Sequence, residues 1–299
     1  MPLRRHGPDE LITATDDAQR QHRYRIVADL PILVDFDDSV LDEHAILARS
    51  AESVIRRPRY GGAAAGAKRL VSPPNPKSAR NIRRFVDLLK QASAEPKVLV
   101  VGGSTIGDGT RPLYDDLAIK VYSFDIYGTP NVQFIADAHR IPLSDATFDG
   151  VVIQAVLEHV LQPWVVAAEV SRVLRPQGFV YAETPFMQHV HEGAYDFTRF
   201  TESGHRYLFR DFDAVASGAT EGAGVQLLWS LDFFARSLFR SRAAGKLVKL
   251  AFFWLRYLDG VIPEPFAVDG ASGSYFLGRR SNRRIGPKEI IAYYQGAQK

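Results

Sequence analysis

The 299-residue chain is 46% hydrophobic and 24% charged, proportions that suit a protein with a buried core. Its formal charge of +3 is mild, so nothing requires a nucleic-acid partner, and none is expected. With no cysteine, disulfides, cysteine-ligated zinc, iron–sulfur clusters and thiol chemistry are excluded, and a reducing compartment is expected.

In chain order, the first segment, MPLRRHGPDELITATDDAQR, is polar and lacks the apolar core of a signal peptide. Residues 1–22 are therefore expected to be disordered. The stretch RYRIVADLPILVDFDDSVLD over 23–42 alternates apolar and polar residues around Pro31 and predicts a short hairpin. RRPRYGGAAAGAKRLVSPPNP over 56–76 reads as a linker. Residues 1–76 thus form a small N-terminal extension, and 77–299 the main domain. Ser78 is expected to cap a helix over 79–91 whose Ile82, Phe85, Val86 and Leu89 share one face.

Strand and helix patterns then alternate. Candidate strands are 97–101, 120–125, 132–136, 149–155 and 178–184, most of them continuous apolar runs suited to parallel strands covered on both faces. A helix over 163–174 opens with Pro163 and is followed by PQG at 176–178. Further elements are a helix near 201–209, a strand near 213–219, a mostly helical insertion at about 225–258, and a last strand over 273–280. The fold class is α/β, a doubly wound, mostly parallel sheet with a helical insertion before its last strand.

VLVVGGSTIGDGTRPLYDDL over 98–117 joins the first sheet strand to a glycine-rich turn bearing Gly102, Gly103, Gly107 and Gly109. Such turns bring backbone N–H groups close to a ligand at the carboxyl edge of an open sheet. Asp125 closes the next strand, where a carboxylate can accept both hydroxyls of a ribose. Asp137 follows the third, where one can accept from an adenine amino group. The turn and the two acids, at three successive strand ends, outline an adenosine.

These residues, with VLEHV at 156–160 and VLRPQG at 173–178, make the chain resemble class I S-adenosylmethionine-dependent methyltransferases, of the type 11-like branch, over about 80–220. The resemblance implies a Rossmann-like seven-stranded sheet ending in an antiparallel strand, and S-adenosylmethionine as cofactor. It assigns Gly102, Gly103 and Ser104, with Gly107 in the same turn, to the methionine and ribose moieties. Asp125, with Ile126 beside it, takes the ribose hydroxyls; Asp137 and Ala138 take the adenine, and Gln154 the methionine part. The family's alternate glycines are replaced by Ser104 and Ile106, which implies a reshaped loop. YRIVADLPILVDF over 24–36 resembles the tail of small zinc-ribbon-like modules found beside methyltransferases, here without metal-binding cysteines.

Methyl transfer from a sulfonium needs mainly alignment, with a base where the acceptor is an alcohol. Candidate catalytic residues are His159 in LEHV, and Glu183 and His191 in ETPFMQHVHEGAYDFTRF over 183–200. The bland alternatives are a turn-capping role for His159 and an internal Asp196–Arg199 ion pair. The group His189, His191 and Glu192 is assigned no metal. The insertion carries Arg236, Arg240, Arg242, Lys246, Lys249 and Arg256 among aromatic residues between 233 and 258, and no acid there. It reads as a helical pair packed on the sheet, or as a patch meeting the inner face of a membrane peripherally. The expected activity is methyl transfer to a small-molecule, glycan or lipid-linked acceptor in the cytoplasm. The alternatives are an NAD(P)-dependent oxidoreductase, whose fingerprint spacing Gly102, Ser104, Gly107 and Asp125 also fit, and a non-catalytic binding module.

Overall fold

The computed structural model describes residues 2–15, 22–49, 75–107 and 109–298. The linker expected over 56–76 lies, up to residue 74, outside them.

The expectation of disorder over 1–22 needs correction for residues 2–15, while residues 1 and 16–21 lie outside the described residues. β1 (Leu3–Arg5), β2 (Glu10–Thr13), β3 (Arg23–Val27) and β4 (Leu30–Pro31) form an antiparallel sheet in that order. Polar composition hid a strand whose burial is confined to its end: Ile12 and Thr13 are buried, Glu10 and Leu11 partly so, and β1 beside them is exposed. The expected hairpin is present. Ala28 and Asp29 both take positive φ, 49° and 63°, at the turn between β3 and β4. Such two-residue turns match the twist of the strands they join. Beyond β4 the chain meets the main sheet, where the Leu33 N–H donates to the Ile135 carbonyl at 2.8 Å. A short helix, α1 (Glu43–Arg49), follows, with the Asp42 carboxylate accepting from the Ala45 N–H.

The main sheet contains β5 (Lys97–Val101), β6 (Lys120–Asp125), β7 (Phe134–Ile135), β8 (Phe148–Gln154), β9 (Leu174–Pro185), β10 (Phe212–Glu221) and β11 (Gly273–Arg280). Their order across the sheet is β10-β11-β9-β8-β5-β6-β7. β5 pairs in parallel with β6 and β8, β6 with β7, and β8 with β9, whereas β11 runs antiparallel between β9 and β10. This is the Rossmann-like methyltransferase fold. β7 is shorter than expected over 132–136, and β9 is longer than expected over 178–184.

Alternation along the strands divides the core in two. Leu99, Val101, Val151 and Ile153 face one layer, whose helices are α4 (Pro163–Val173) and α5 (Glu202–Leu208). Val98, Val100 and Val152 face the other, with α2 (Pro76–Ala92). Ile82, Phe85, Val86 and Leu89 are the buried face of α2, as their spacing predicts. Its cap, however, is Asn75, which accepts from the N–H groups of Lys77 and Ser78, so Pro76 takes the first helical turn and Ser78 is buried inside it. α3 (Arg111–Asp115) is five residues long.

The insertion comprises α6 (Ala223–Phe239), α7 (Arg242–Phe252), a 3-10 segment over Phe253–Gly260 and α8 (Glu264–Asp269). Asp232 of α6 pairs with Arg236 of its own helix at 2.6 Å and reaches Lys249 of α7 at 2.9 Å, which joins the two helices. No helix among the described residues is long and apolar enough to cross a membrane. α9 (Pro287–Tyr293), beyond β11, was not expected from the sequence.

Candidate active site

A cavity of about 490 Å³ opens at the carboxyl ends of β5, β6, β8 and β9. Ligands bind at this edge of open α/β sheets because strands and helices diverge there. Of the residues expected to hold a nucleoside, Gly102, Ser104, Gly107, Asp125, Ile126, Asp137, Ala138 and Gln154 line it. Gly103 does not: a Cβ there would lie 2.5 Å from the Ser123 Cβ, so its small size serves the contact with β6. Gly102 is needed for its own conformation, with φ at 77°, and because a Cβ would meet Val156 at 2.3 Å. The glycines therefore tighten the turn against the protein as much as they open it to a ligand.

Asp125 is buried at the end of β6. Its Oδ2 accepts from the Ser104 N–H at 2.9 Å and its Oδ1 from the Ile126 N–H at 2.7 Å. A carboxylate is an acceptor only, with about four lone-pair positions, the chemistry that ribose hydroxyls require. The Ser104 carbonyl is in turn held by the Thr129 hydroxyl at 2.8 Å and the Asn131 amide at 3.1 Å. These bonds give the loop order despite its missing glycines. Asp137 has more partners than the sequence suggested. Its Oδ1 accepts from the His139 N–H at 2.9 Å and meets His139 Nδ1 at 2.6 Å, and its Oδ2 accepts from the Ser39 hydroxyl. Burial pushes its pKa up, but the bonds from His139 and Ser39 pull it down further, leaving it below the usual carboxylate range.

Ser39 belongs to the N-terminal extension, and so do Leu41, Ala45 and Ile46 on the cavity wall. Leu41 packs with Ile32, Val34 and Ile135, and Ile126 leans on the same cluster. Sequence reasoning missed this wall. The signal was present in Asp42 followed by EHAILAR, a capped amphipathic turn, but nothing in it says where the turn docks.

On the other side, Gln154 Nε2 donates to Glu183 Oε2 at 2.6 Å, and the Tyr181 hydroxyl donates to Glu183 Oε1. Glu183, expected as a catalytic candidate, thus has one oxygen orienting Gln154 and the other accepting from Tyr181. After β8 the chain turns sharply at Ala155, whose φ of 54° is uncommon for a residue with a Cβ. That turn starts the 3-10 segment Leu157–His159, which swings Glu158 and His159 to the cavity. The Glu158 carbonyl accepts from the Phe197 N–H at 2.8 Å, fastening this segment to the 183–200 loop.

His159 does cap by hydrogen bonding: its Nδ1 lies 2.8 Å from the Tyr195 carbonyl. Burial lowers its pKa, with the charge of His191 acting in the same direction. Glu158 is 1% exposed, and desolvation raises its pKa to about 8. The expected Asp196–Arg199 pair forms through two contacts, one of them 2.9 Å. The loop histidines part company. His189 stacks on Phe233 of α6 with ring centres 4.2 Å apart, while His191 turns to the cavity, 5.1 Å from the His159 ring. The sequence-adjacent trio of His189, His191 and Glu192 is therefore not what the fold assembles; it brings together Glu158, His159 and His191.

Residues 106–182 match the model of a family described as Methyltransferase domain. No curated protein matches the chain in sequence. Similar solved structures include Haemonchus contortus phosphoethanolamine N-methyltransferase 2 in complex with S-adenosyl-L-methionine, at 14% identity and a TM-score of 0.44, covering 76% of this chain and 59% of that one. Another is Burkholderia thailandensis 1,6-didemethyltoxoflavin-N1-methyltransferase, at 16% identity and a TM-score of 0.40, covering 76% and 94%. The [4+2]-cyclase SpnF is similar at 15% identity and a TM-score of 0.41, covering 68% and 80%.

Proposed function

We propose that this chain, a class I methyltransferase by its 106–182 segment and its strand order, moves the methyl group of S-adenosylmethionine onto an acceptor held by the 183–200 loop. One observation carries the reading: Asp125 and Asp137 line the same cavity as Gly102 and Ser104, at three neighbouring strand ends. The cavity volume of about 490 Å³ lies within the usual range for small-molecule sites. Asp125 brings a carboxylate, the acceptor that ribose hydroxyls need, to the cavity wall, and Ile126, Ala138, Leu41 and Ile46 offer apolar surface for a base. Gln154, oriented by Glu183, faces the methionine end. When bound, the cofactor supplies an electrophilic methyl group on a positively charged sulfur. Glu183 acts as a positioning residue, while His159 and His191 stand on the acceptor side.

β11, antiparallel inside the sheet, speaks against the dinucleotide alternative, whose sheets are parallel throughout the binding halves. A hundredfold excess of S-adenosylhomocysteine over its Kd stabilises the protein by about 2.7 kcal/mol, whereas NAD leaves the melting temperature unchanged. Stabilisation by NAD alone reverses the assignment, and calorimetric silence toward S-adenosylmethionine leaves a binding module.

For the acceptor, the insertion supports a lipid-linked compound. Phe234, Leu238 and Phe239 of α6 and Leu247 and Leu250 of α7 are all exposed, an unusual density for a surface facing water. Arg240, Arg242 and Lys246 beside them are exposed and make no ion pair among the described residues. The stack of His189 on Phe233 ties this surface to the acceptor loop. Each basic residue near an anionic leaflet contributes about 1 kcal/mol, so three give roughly a 100-fold preference for phosphatidylglycerol vesicles over neutral ones. Equal flotation with both vesicle types, or with neither, removes the lipid reading while leaving the cofactor assignment intact.

A further inference from the structure

We infer that Glu158, His159 and His191 form a binding site for a divalent first-row transition metal, opening into the acceptor side of the cavity. Their donor atoms all lie within 4.8 Å of one another, and all three residues line the cavity. Two imidazoles and one carboxylate suit zinc, iron, cobalt or nickel, while calcium and magnesium prefer oxygen ligands alone.

The orientation of the rings is the stronger argument. His159 directs Nδ1 at the Tyr195 carbonyl, 2.8 Å away, and this carbonyl can only accept. The proton therefore sits on Nδ1, and the lone pair of Nε2 faces Glu158 Oε1 at 3.5 Å. His191 repeats the arrangement. Its Nδ1 lies 3.4 Å from Asp196 Oδ2 and 3.3 Å from the His189 carbonyl, both acceptors, while its Nε2 lies 3.9 Å from the same Glu158 oxygen. An acceptor on Nδ1 is how proteins fix the tautomer and direction of metal-ligating histidines. The two rings stand nearly perpendicular, at 82°, and both Nε2 atoms come within 3.9 Å of the same Glu158 oxygen. In tetrahedral zinc sites with bonds near 2.1 Å, neighbouring ligand atoms are about 3.4 Å apart. The Glu158 contacts, 3.5 and 3.9 Å, need little adjustment to reach that spacing.

Glu158 supplies the second line of evidence. It is 1% exposed, and neither carboxylate oxygen has a hydrogen-bond partner in the side chains around it. A buried carboxylate in that condition is costly unless it holds a proton or a cation compensates it, and a metal ion would take the place of that proton. Asp196, bound to Arg199, orients His191 and is not itself a ligand. With three protein ligands, at least one coordination position is left facing the cavity, where an acceptor oxygen or nitrogen could enter. That role rests on the methyltransferase reading; the metal site does not.

Calorimetry of the full chain, stripped with a chelator and titrated with Zn²⁺, tests the site. One ion per chain is expected, and Glu158→Gln and His191→Asn each weaken binding by at least ~100-fold. His189→Gln, altering the loop histidine that stacks on Phe233, leaves affinity unchanged. Glu158→Gln also leaves the metal-free protein at least as stable as wild type in urea, which separates lost ligation from lost folding. Should that variant not fold, His159→Asn takes its place with the same expected loss. Absence of binding by Zn²⁺, Co²⁺ and Ni²⁺ at a tenfold excess overturns the inference, as does wild-type affinity in the Glu158 and His191 variants or an equal loss in His189→Gln.

Discussion

Asp125→Ala weakens S-adenosylhomocysteine binding by at least ~100-fold, because two hydroxyl bonds to a charged acceptor contribute roughly 1.5–3 kcal/mol each. The carboxylate has two duties, and the test has to separate them. It binds the Ser104 and Ile126 N–H groups, so its removal also releases one anchor of the glycine loop. Asp125→Asn keeps one amide oxygen in nearly the same shape and drops the charge, and a loss of about 10-fold is expected there. Thr129 and Asn131 still hold the Ser104 carbonyl in both variants, so the melting temperature without ligand changes little. Calorimetry with S-adenosylhomocysteine reads the result. Wild-type affinity in Asp125→Ala would refute the ribose placement, and a collapsed melting temperature in both variants would assign the residue to structure instead.

The largest pH effect is expected at His205. This residue is fully buried in α5 among Phe200, Phe209 and Phe276, and neither ring nitrogen has a partner in the protein. Desolvation lowers its pKa from 6.5 to about 3. Below pH 6.5 the unfolded chain takes up a proton that the folded chain refuses, so stability falls as pH drops toward the folded value. The slope is about 1.4 kcal/mol per pH unit. His205→Leu, similar in volume and without the titrating group, removes that slope. Between pH 6 and pH 4.5 the variant loses about 2 kcal/mol less than wild type in urea denaturation. Glu202 lies in the same helix with its pKa raised by burial, an effect of opposite sign, but it is present in both proteins and cancels in the comparison. Identical acid sensitivity of the two proteins would show that His205 gains a proton without unfolding.

The parts legible in the sequence are those whose physics is local. β5, β6 and β11 were read with their observed bounds, because short apolar runs between turn residues are stable only as covered strands. Asp125 was recognisable since its position follows from the end of one strand. The buried face of α2 followed from its period. Other elements escaped because their signals were ambiguous at short range. Ser78 looked like a cap, yet Asn75 takes that position because Pro76 is tolerated in the first helical turn, so the helix could begin earlier. β2 looked disordered because its order comes from pairing with β1 and β3 and not from its own composition. Gly103 was assigned to the ligand when its neighbour is Ser123, 20 residues away in sequence.

By itself the sequence determined the α/β class, the glycine turn and the two acids that follow it, all consequences of period, turn chemistry and strand-end position. The tertiary structure alone decided what surrounds them. It laid the 39–46 stretch along the cavity wall beside Asp137, tied there by Ser39, and it set Glu158 and His159 against His191, 33 and 32 residues further along the chain. Closing such loops is unfavourable in entropy and is compensated by burial of apolar side chains from several elements at once. No single stretch of sequence encodes that compensation, so the partners of a long-range site become visible where the packed core brings them together.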